Sequence, residues 1–207
     1  MDTEGNLMEL IIRILALVFS IIIHEVAHGY VAYRLGDPTA RDAKRLTLNP
    51  LPHIDLMGSI LLPLFLVLVR SPVLLGWAKP VPFNPRYFRD VKKGVMLVGL
   101  AGPASNLILA AIAGIILRIL PFEGVLALFL AYVCVINVIL AVFNLIPIPP
   151  LDGSRVVIGF LPSHMVSGYL MLERYGFLII FGLLYLGVLN YILLPIASFL
   201  LHFLLPV

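Results

Sequence analysis

The sequence predicts an all-α, multi-pass membrane protein with four to five transmembrane helices and a re-entrant or hairpin segment around residues 40–70. The first observation is composition, because the 207 residues are 61% apolar and only 12% charged, roughly half the charge of a typical soluble domain. The second is length, because several apolar runs approach the roughly 20 residues that a helix needs to cross a bilayer. We expect residues 1–207 to form a single integral-membrane domain, since this length leaves no room for an added soluble module.

The third observation is the distribution of basic residues. They gather in two short segments beside apolar runs, which is typical of loops on the cytoplasmic side of a membrane. The first group is Arg34, Arg41, Lys44 and Arg45, and the second is Lys79, Arg86, Arg89, Lys92 and Lys93. The formal net charge of +3 gives no indication of nucleic-acid binding, and we expect none.

The first half of the chain divides into a span and a less regular segment. An apolar run covers residues 10–33, and residues 36–38, Gly-Asp-Pro, end it. Residues 40–56 combine prolines with polar groups, which indicates an irregular or hairpin segment. The next run, residues 57–69, is only 13 residues long and contains Pro63. Because basic groups flank this run on both sides, we favour a re-entrant segment over a crossing, and such a segment implies an internal cavity.

The second half predicts clearer spans. The proline-rich residues 76–85 cannot form a regular helix. Spans are expected at residues 94–120 and 125–146, and the prolines at 147, 149 and 150 break the second one. The last apolar region, residues 177–205, fits either one span with a surface helix or two spans.

The residues His24, Glu25 and His28 form the pattern H-E-x-x-H inside the first span. On a helix, residues four apart lie on one face, so the two imidazoles can bind one zinc ion. The glutamate between them can take a proton from a water molecule that the metal activates. Ionisable groups inside a span are costly and usually functional, which favours a metal site over two polar residues satisfied within a helix bundle.

A catalytic zinc ion needs a third protein ligand. Asp152 follows the proline break at the same predicted end of the spans as His28, yet an aspartate before glycine also suits a turn or a helix N-cap. Asp55 is a weaker candidate. Asp37, Asp42 and Asp90 lie in basic segments that we expect to be solvated. Surface or interface positions are favoured for His53 and His164, with His53 lining the cavity as the alternative.

Several separated motifs resemble the site-2 protease family of intramembrane zinc metalloproteases. They are residues 24–28, the A-G-P-A-S-N element at 101–106, Asn144 with Pro147, and L-D-G at 151–153. The G-W-A-K-P-V-P stretch at residues 76–82 is similar to the compact prokaryotic branch, without a PDZ or CBS domain. Control of substrate access is therefore expected to come from the membrane core or a partner.

The resemblance implies a role for each matched residue. It implies that His24, His28 and Asp152 bind one Zn2+ per chain and that Glu25 is catalytic. It places Asn144 near the substrate backbone or the oxyanion. Asn106 falls on the same family element as a second substrate or oxyanion candidate, and a helix-packing role is an equal alternative for it.

The expected activity is hydrolysis of peptide bonds within or next to transmembrane segments of other proteins, as in regulated intramembrane proteolysis. The alternative is a membrane metal-ion transporter or sensor that uses the same His/Asp cluster, although a transporter does not need the non-ligand Glu25. The expected partners are transmembrane protein substrates and the lipid bilayer, and a homo-oligomer stays open. We expect a multi-pass protein of the cell membrane with its active site toward the cytoplasmic side.

Overall fold

The computed structural model describes residues 3–69, 77–120 and 123–205. This part of the chain is built from helices joined by turns and extended segments, and it contains no strand. The α-helices are α1 (Thr3–Arg34), α2 (Thr39–Asp42), α3 (Leu62–Leu68), α4 (Val91–Ile119), α5 (Gly124–Asn144), α6 (Asp152–Phe160), α7 (Ser163–Met171), α8 (Glu173–Tyr185) and α9 (Val188–Leu204). Shorter helical turns occupy Leu51–His53, Leu56–Leu61 and Pro85–Tyr87.

Three helices in the described ranges are long and apolar enough to cross a bilayer, namely Leu7–Arg34 within α1, Val91–Ile119 and Gly124–Asn144. Helices α7 and α8 would add a fourth crossing if the pair, bent by 60°, acts as one span. Many large apolar side chains on the outside are exposed, including Leu15 at 57% and Leu178 at 72%. Contact of apolar side chains with water is unfavourable, and a bilayer removes that contact. The predicted multi-pass helical membrane fold is therefore confirmed.

Within the described residues the structure thus has three or four candidate spans, where the sequence predicted four to five. The difference lies in the last apolar region. That region is divided into α8, with 13 residues, and α9, with 17 residues. Gly187 separates them in a left-handed conformation, with φ of 72°, which a side chain would disfavour. At 1.5 Å per residue, α9 is about 26 Å long, slightly less than the roughly 30 Å of bilayer hydrocarbon.

The core lies where α1, α4, α5 and α9 meet, and its smallest members decide how closely the helices approach. Ala16 of α1, Ala110 of α4 and Ala197 of α9 pack against Val133 and Val138 of α5. Small residues at such contacts let helix backbones come close together in a membrane protein. Helix α4 also packs along α1 and α6, so it connects the two regions that carry the predicted ligands.

Residues 40–69 form a segment of short helical turns and irregular stretches rather than a β-hairpin. Its first part holds α2 and the short turn at Leu51–His53, and no strand pairing is found in this part of the described structure. Leu56–Leu61 is a π-helical turn that continues into α3. Together these two elements are about 20 Å long at 1.5 Å per residue, too short for a straight crossing. Re-entry of residues 57–69 stays a prediction.

Residues 77–84 run in an extended path that returns over this segment. The Trp77 and Lys79 N–H groups donate to the carbonyl oxygens of Gly58 and His53, at 3.2 and 2.9 Å. The Arg45 guanidinium donates to the Lys79 carbonyl at 2.6 Å. This path agrees with the expected absence of a regular helix. Gly76 of the G-W-A-K-P-V-P stretch and residues 121–122 of the turn after α4 lie outside the described residues.

Candidate active site

Three predicted ligand atoms meet at one buried point between α1 and α6. His24 Nε2 and His28 Nε2 are 3.0 Å apart. Asp152 Oδ2 lies 3.0 Å from His24 Nε2 and 3.1 Å from His28 Nε2. All three residues are buried, and within the described ranges they form the group of His, Cys, Asp and Glu side chains able to hold a metal ion. Residues His28 and Asp152, which are 124 positions apart in the sequence, thus converge.

The hydrogen bonds behind the imidazoles test whether a metal fits here. His24 Nδ1 donates to Asn106 Oδ1 at 2.5 Å, and His28 Nδ1 donates to the Val98 carbonyl at 2.6 Å. With Nδ1 protonated, each neutral ring directs an Nε2 lone pair toward the shared point. Two lone pairs and a carboxylate oxygen would repel one another unless a cation balances them. Tetrahedral zinc ligands at about 2.0–2.1 Å are themselves about 3.3 Å apart, close to the separations found.

The close approach of α4 to the two histidines depends on Gly102. A Cβ at residue 102 would lie 2.4 Å from His28 Nε2 and 2.5 Å from His24 Cε1. Any side chain at this position would therefore push α4 away from α1. Because α4 supplies both Nδ1 acceptors, this glycine of the A-G-P element is required for the geometry of the site.

Asp152 reaches the site from the first turn of α6. It is not the N-cap, since Leu151 occupies that position, and its Oδ1 accepts from Arg155 Nη1 at 2.9 Å while Oδ2 faces the histidines. A Cβ on Gly153 would lie 2.2 Å from the Leu145 carbonyl oxygen, so the glycine lets α6 fold back against the end of α5. The N-cap alternative for Asp152 is therefore wrong, and its role as a zinc ligand stays a prediction.

Glu25 lies beside the three ligand atoms without joining them. Its Oε2 accepts from the Val81 N–H at 2.8 Å, and the residue is half-buried. The extended residues 77–84 thus supply a hydrogen-bond donor to the carboxylate predicted to act as base. Within the described part of the chain, no hydrogen bond from a protein donor to Oε1 is found.

The two predicted asparagines occupy different places. Asn106 is fully buried, and both ends of its amide are used, since Nδ2 donates to Asn137 Oδ1 at 2.5 Å. Asn106 thus lies behind His24 with both ends of its amide bonded to protein groups, and its role stays a prediction. Asn144 is half-buried at the end of α5, and its Nδ2 donates to the Leu140 carbonyl at 2.9 Å. Its role toward a substrate stays a prediction.

Two polar residues near the site were missed by sequence reasoning. Asn137 on α5 and Ser20 on α1 are both fully buried, and Asn137 Nδ2 donates to Ser20 Oγ at 2.6 Å. The available signal was a polar residue inside an apolar span, which usually has a functional or packing reason.

Two expectations about polar residues were wrong. Asp37, expected to be solvated, is fully buried and accepts from the N–H groups of Thr39 and Asn84 at 3.0 and 2.5 Å. His53, expected at a surface or interface position, is 3% exposed, and its Nε2 donates to the Thr47 carbonyl at 2.9 Å. The alternative that His53 lines the cavity stays a prediction. The returning residues 77–84 contact both residues, because the Asn84 N–H donates to the Asp37 side chain and the Lys79 N–H donates to the His53 backbone carbonyl. His164 is exposed, as predicted.

A cavity of about 770 Å³ opens beside Arg155, with walls from α4, α6 and α7 that include Val95, Ile158 and Val166. The sequence predicted a cavity formed by residues 57–69 and the proline break at 147–150. The lining of this one comes from other elements, so the predicted cavity stays a prediction. The cavity found in the structure is lined in part by Arg155, which donates to Asp152.

The helical membrane fold and this H-E-x-x-H site with a distant carboxylate define the class of membrane-embedded metalloproteases. Peptidase family M50 has a family model that matches residues 120–186. The chain is 38% identical over 194 residues to YwhC of Bacillus subtilis (strain 168), covering 89% of this chain and 85% of that relative. The chain belongs to peptidase family M50, the site-2 protease family that its motifs resemble.

More distant relatives agree with this assignment. The chain is 31% identical over 175 residues to Rip2 of Mycolicibacterium smegmatis, covering 84% of this chain and 66% of that protein. It is 33% identical over 136 residues to Rip2 of Mycobacterium tuberculosis (strain H37Rv), covering 65% of this chain and 51% of that protein. These relatives are all named as inferred zinc metalloproteases, and no solved structure gives a significant match. The chain is therefore a zinc metalloprotease, and Zn2+ is its cofactor.

Proposed function

We propose that this zinc metalloprotease cleaves peptide bonds within or next to transmembrane segments of substrate proteins, with His24, His28 and Asp152 as zinc ligands and Glu25 as general base. The observation that carries the proposal is the buried meeting point of the three ligand atoms, two of which belong to a helix long and apolar enough to span a bilayer. A buried site on a spanning helix acts on a peptide bond that itself lies in or near the membrane. We further propose that residues 1–207 act as one protease domain.

The depth of the site follows from its place on α1. His28 is six residues before Arg34, about 9 Å along the helix axis, and His24 is about 15 Å from it. The opposite end of the span at Leu7 is about 26 Å from His24. The nearer end continues into the basic residues Arg41 and Lys44. By the positive-inside rule, this supports a cell-membrane protein whose site lies toward the cytoplasmic side.

The protein's own residues supply the proton transfers and the positioning. Zinc, when bound, supplies a Lewis acid that polarises the scissile carbonyl and makes water more acidic. The carboxylate of Glu25 accepts the proton of the attacking water and then delivers it to the leaving amine. The Val81 N–H holds Oε2, so the carboxylate keeps one orientation during both transfers. Asn144 is expected to hold the substrate backbone or the oxyanion.

The substrate must present an extended backbone, because a helix hides its own amide groups. Residues 40–56 are expected to pair with such a segment as an added strand. The non-ligand Glu25 and the M50 assignment favour this protease over the transporter or sensor alternative, which needs no general base between its ligands.

The test uses the zinc-loaded protein in proteoliposomes with a panel of single-span membrane proteins, and mass spectrometry locates the cleaved bond. The expected result is cleavage within or next to the span, abolished by a zinc chelator and restored by added zinc. A soluble protein that carries the same residues without a membrane anchor is the matched control and should be cut far more slowly. Efficient cleavage only at sites remote from the bilayer would refute the proposed substrate class.

A further inference from the structure

Asn137 makes three hydrogen bonds inside the bundle, where it is fully buried. Its Nδ2 donates to the Val133 carbonyl at 2.7 Å and to Ser20 Oγ at 2.6 Å. Its Oδ1 accepts from Asn106 Nδ2 at 2.5 Å. Asn106 in turn contacts His24. A continuous path of hydrogen bonds therefore runs from a backbone carbonyl of α5, through two amides, to a predicted zinc ligand on α1.

The direction of every bond in this path is set at its α5 end. A backbone carbonyl can only accept, so the Asn137 atom facing Val133 must be the NH2 group. Its other end, facing Asn106, must then be the oxygen, so Asn106 presents its own NH2 group there. The remaining Asn106 oxygen faces His24 Nδ1, which must carry the hydrogen. His24 Nε2 is left with a free lone pair.

Ser20 fixes the same direction independently. Its hydroxyl donates to the Ala16 carbonyl at 2.6 Å, so its hydrogen is used and the oxygen can only accept from Asn137. A reversed Asn137 amide would place an oxygen against two acceptors. Such an arrangement is costly in a buried environment.

The same tautomer, with hydrogen on Nδ1, is set in a different way for each of the two histidines. His28 Nδ1 donates directly to the Val98 carbonyl, which fixes its tautomer in one step. The Nδ1 partner of His24 is not a backbone carbonyl but the side-chain amide of Asn106, which could turn in either direction. An amide turned the wrong way would offer a donor to Nδ1 and favour the tautomer whose Nε2 carries hydrogen and cannot bind a metal.

We infer that Asn137 is a positioning residue for the metal centre: it holds the Asn106 amide in the one orientation that keeps His24 Nε2 free to bind zinc. This inference rests on the proposed zinc site, and it adds a residue on a fourth helix, α5, to the control of that site. If the inference is correct, zinc affinity depends on Asn137 only when residue 106, the partner of His24, is an amide.

The test measures zinc affinity of the purified protein by competition with a chelator, in wild type and in Asn137→Leu. The expected loss in Asn137→Leu is about tenfold, the lower end of the range for outer-shell partners. Val138→Ala is the matched control, because Val138 is equally buried on the next residue of α5 and makes no side-chain hydrogen bond. It should leave zinc affinity within about twofold of wild type, the scatter of independent sites.

The decisive comparison repeats Asn137→Leu in an Asn106→Asp background. A carboxylate offers an acceptor to His24 from either oxygen, so it needs no orientation by residue 137. Its second oxygen would face Asn137 Oδ1, another acceptor, and Asn137→Leu removes that repulsion as well. We expect the double variant to bind zinc no more weakly than Asn106→Asp alone. An equal loss in both backgrounds would mean that Asn137 acts only through packing, and the inference would be overturned.

A measurement on the wild type needs no variant to fold. Nitrogen-15 NMR of the histidine-labelled, zinc-loaded protein reports which ring nitrogen of His24 carries hydrogen, and the expected answer is Nδ1. Hydrogen on Nε2, with zinc on Nδ1, would refute the path. A wild type that binds no zinc at all would instead contradict the proposed function, so the two failures are distinguishable.

Discussion

The substitution Gly102→Ala tests how closely the site depends on the approach of α4 to α1. The added Cβ would lie 2.4 Å from His28 Nε2, whereas ordinary van der Waals contact begins at 3.4 Å. The helices would have to separate by the difference, about 1 Å, unless the imidazoles turn away. Metal ligands tolerate shifts of only about 0.2 Å. Overpacking of this kind typically costs about 1–3 kcal/mol of stability.

The same displacement would break the two hydrogen bonds that orient the ligands. The bonds of His24 to Asn106 and of His28 to Val98 are 2.5 and 2.6 Å long, and an added 1 Å takes both to about the 3.5 Å limit. Loss of each such partner costs roughly 10–100-fold in metal affinity, so we expect zinc affinity to fall at least about 100-fold, with cleavage lost in parallel.

The assay is zinc competition with a chelator, together with thermal unfolding in detergent. Gly182→Ala is the matched control, because a Cβ there meets nothing within 4 Å in helix α8. It should keep wild-type zinc affinity and gain about 0.5–1 kcal/mol of stability from the removed glycine. A Gly102→Ala protein with wild-type zinc affinity would refute the reasoning that α4 holds the ligands by close contact.

Three further substitutions separate ligand positioning from catalysis. Arg155→Met removes the donor to Asp152 Oδ1, so zinc affinity, measured by competition, should fall about tenfold; an unchanged affinity would contradict this positioning. Val81→Pro removes the N–H that holds Glu25, so the cleavage rate should fall at least about tenfold with zinc content unchanged. Its control, Val81→Ala, keeps the N–H donor and should retain the wild-type cleavage rate. Asn144→Ala should lower kcat by about 100-fold if the residue stabilises the oxyanion, and a change in zinc content instead would assign it a structural role.

The sequence predicted most of the site because its strongest signal is local. His24 and His28 are four residues apart on a helix, so their common face required no knowledge of the fold. Asp152 depended on a distant motif and on the order of the spans, and the structure places its carboxylate beside both imidazoles. The multi-pass fold was predictable because apolar length and composition determine it.

What the sequence could not predict depends on contacts between distant segments. Asp37 was expected to be solvated because it lies in a basic segment, and His53 lies outside the recognised motifs. The returning residues 77–84 nevertheless donate to Asp37 and bond the backbone of His53. Asn137 gave a signal, a polar group in an apolar span, but its partner Asn106 is 31 residues away on another helix. Such pairings appear only when the helix packing is known.

The most direct test of the central claim measures bound zinc and cleavage of a single-span substrate together, in wild type and in Glu25→Gln. This substitution removes the base while its amide keeps nearly the same shape, and the three ligand atoms are untouched. The account predicts one zinc per chain in both proteins and a cleavage rate at least about 100-fold lower in the variant. A Glu25→Gln protein that retains zinc and cleaves as fast as wild type would contradict it.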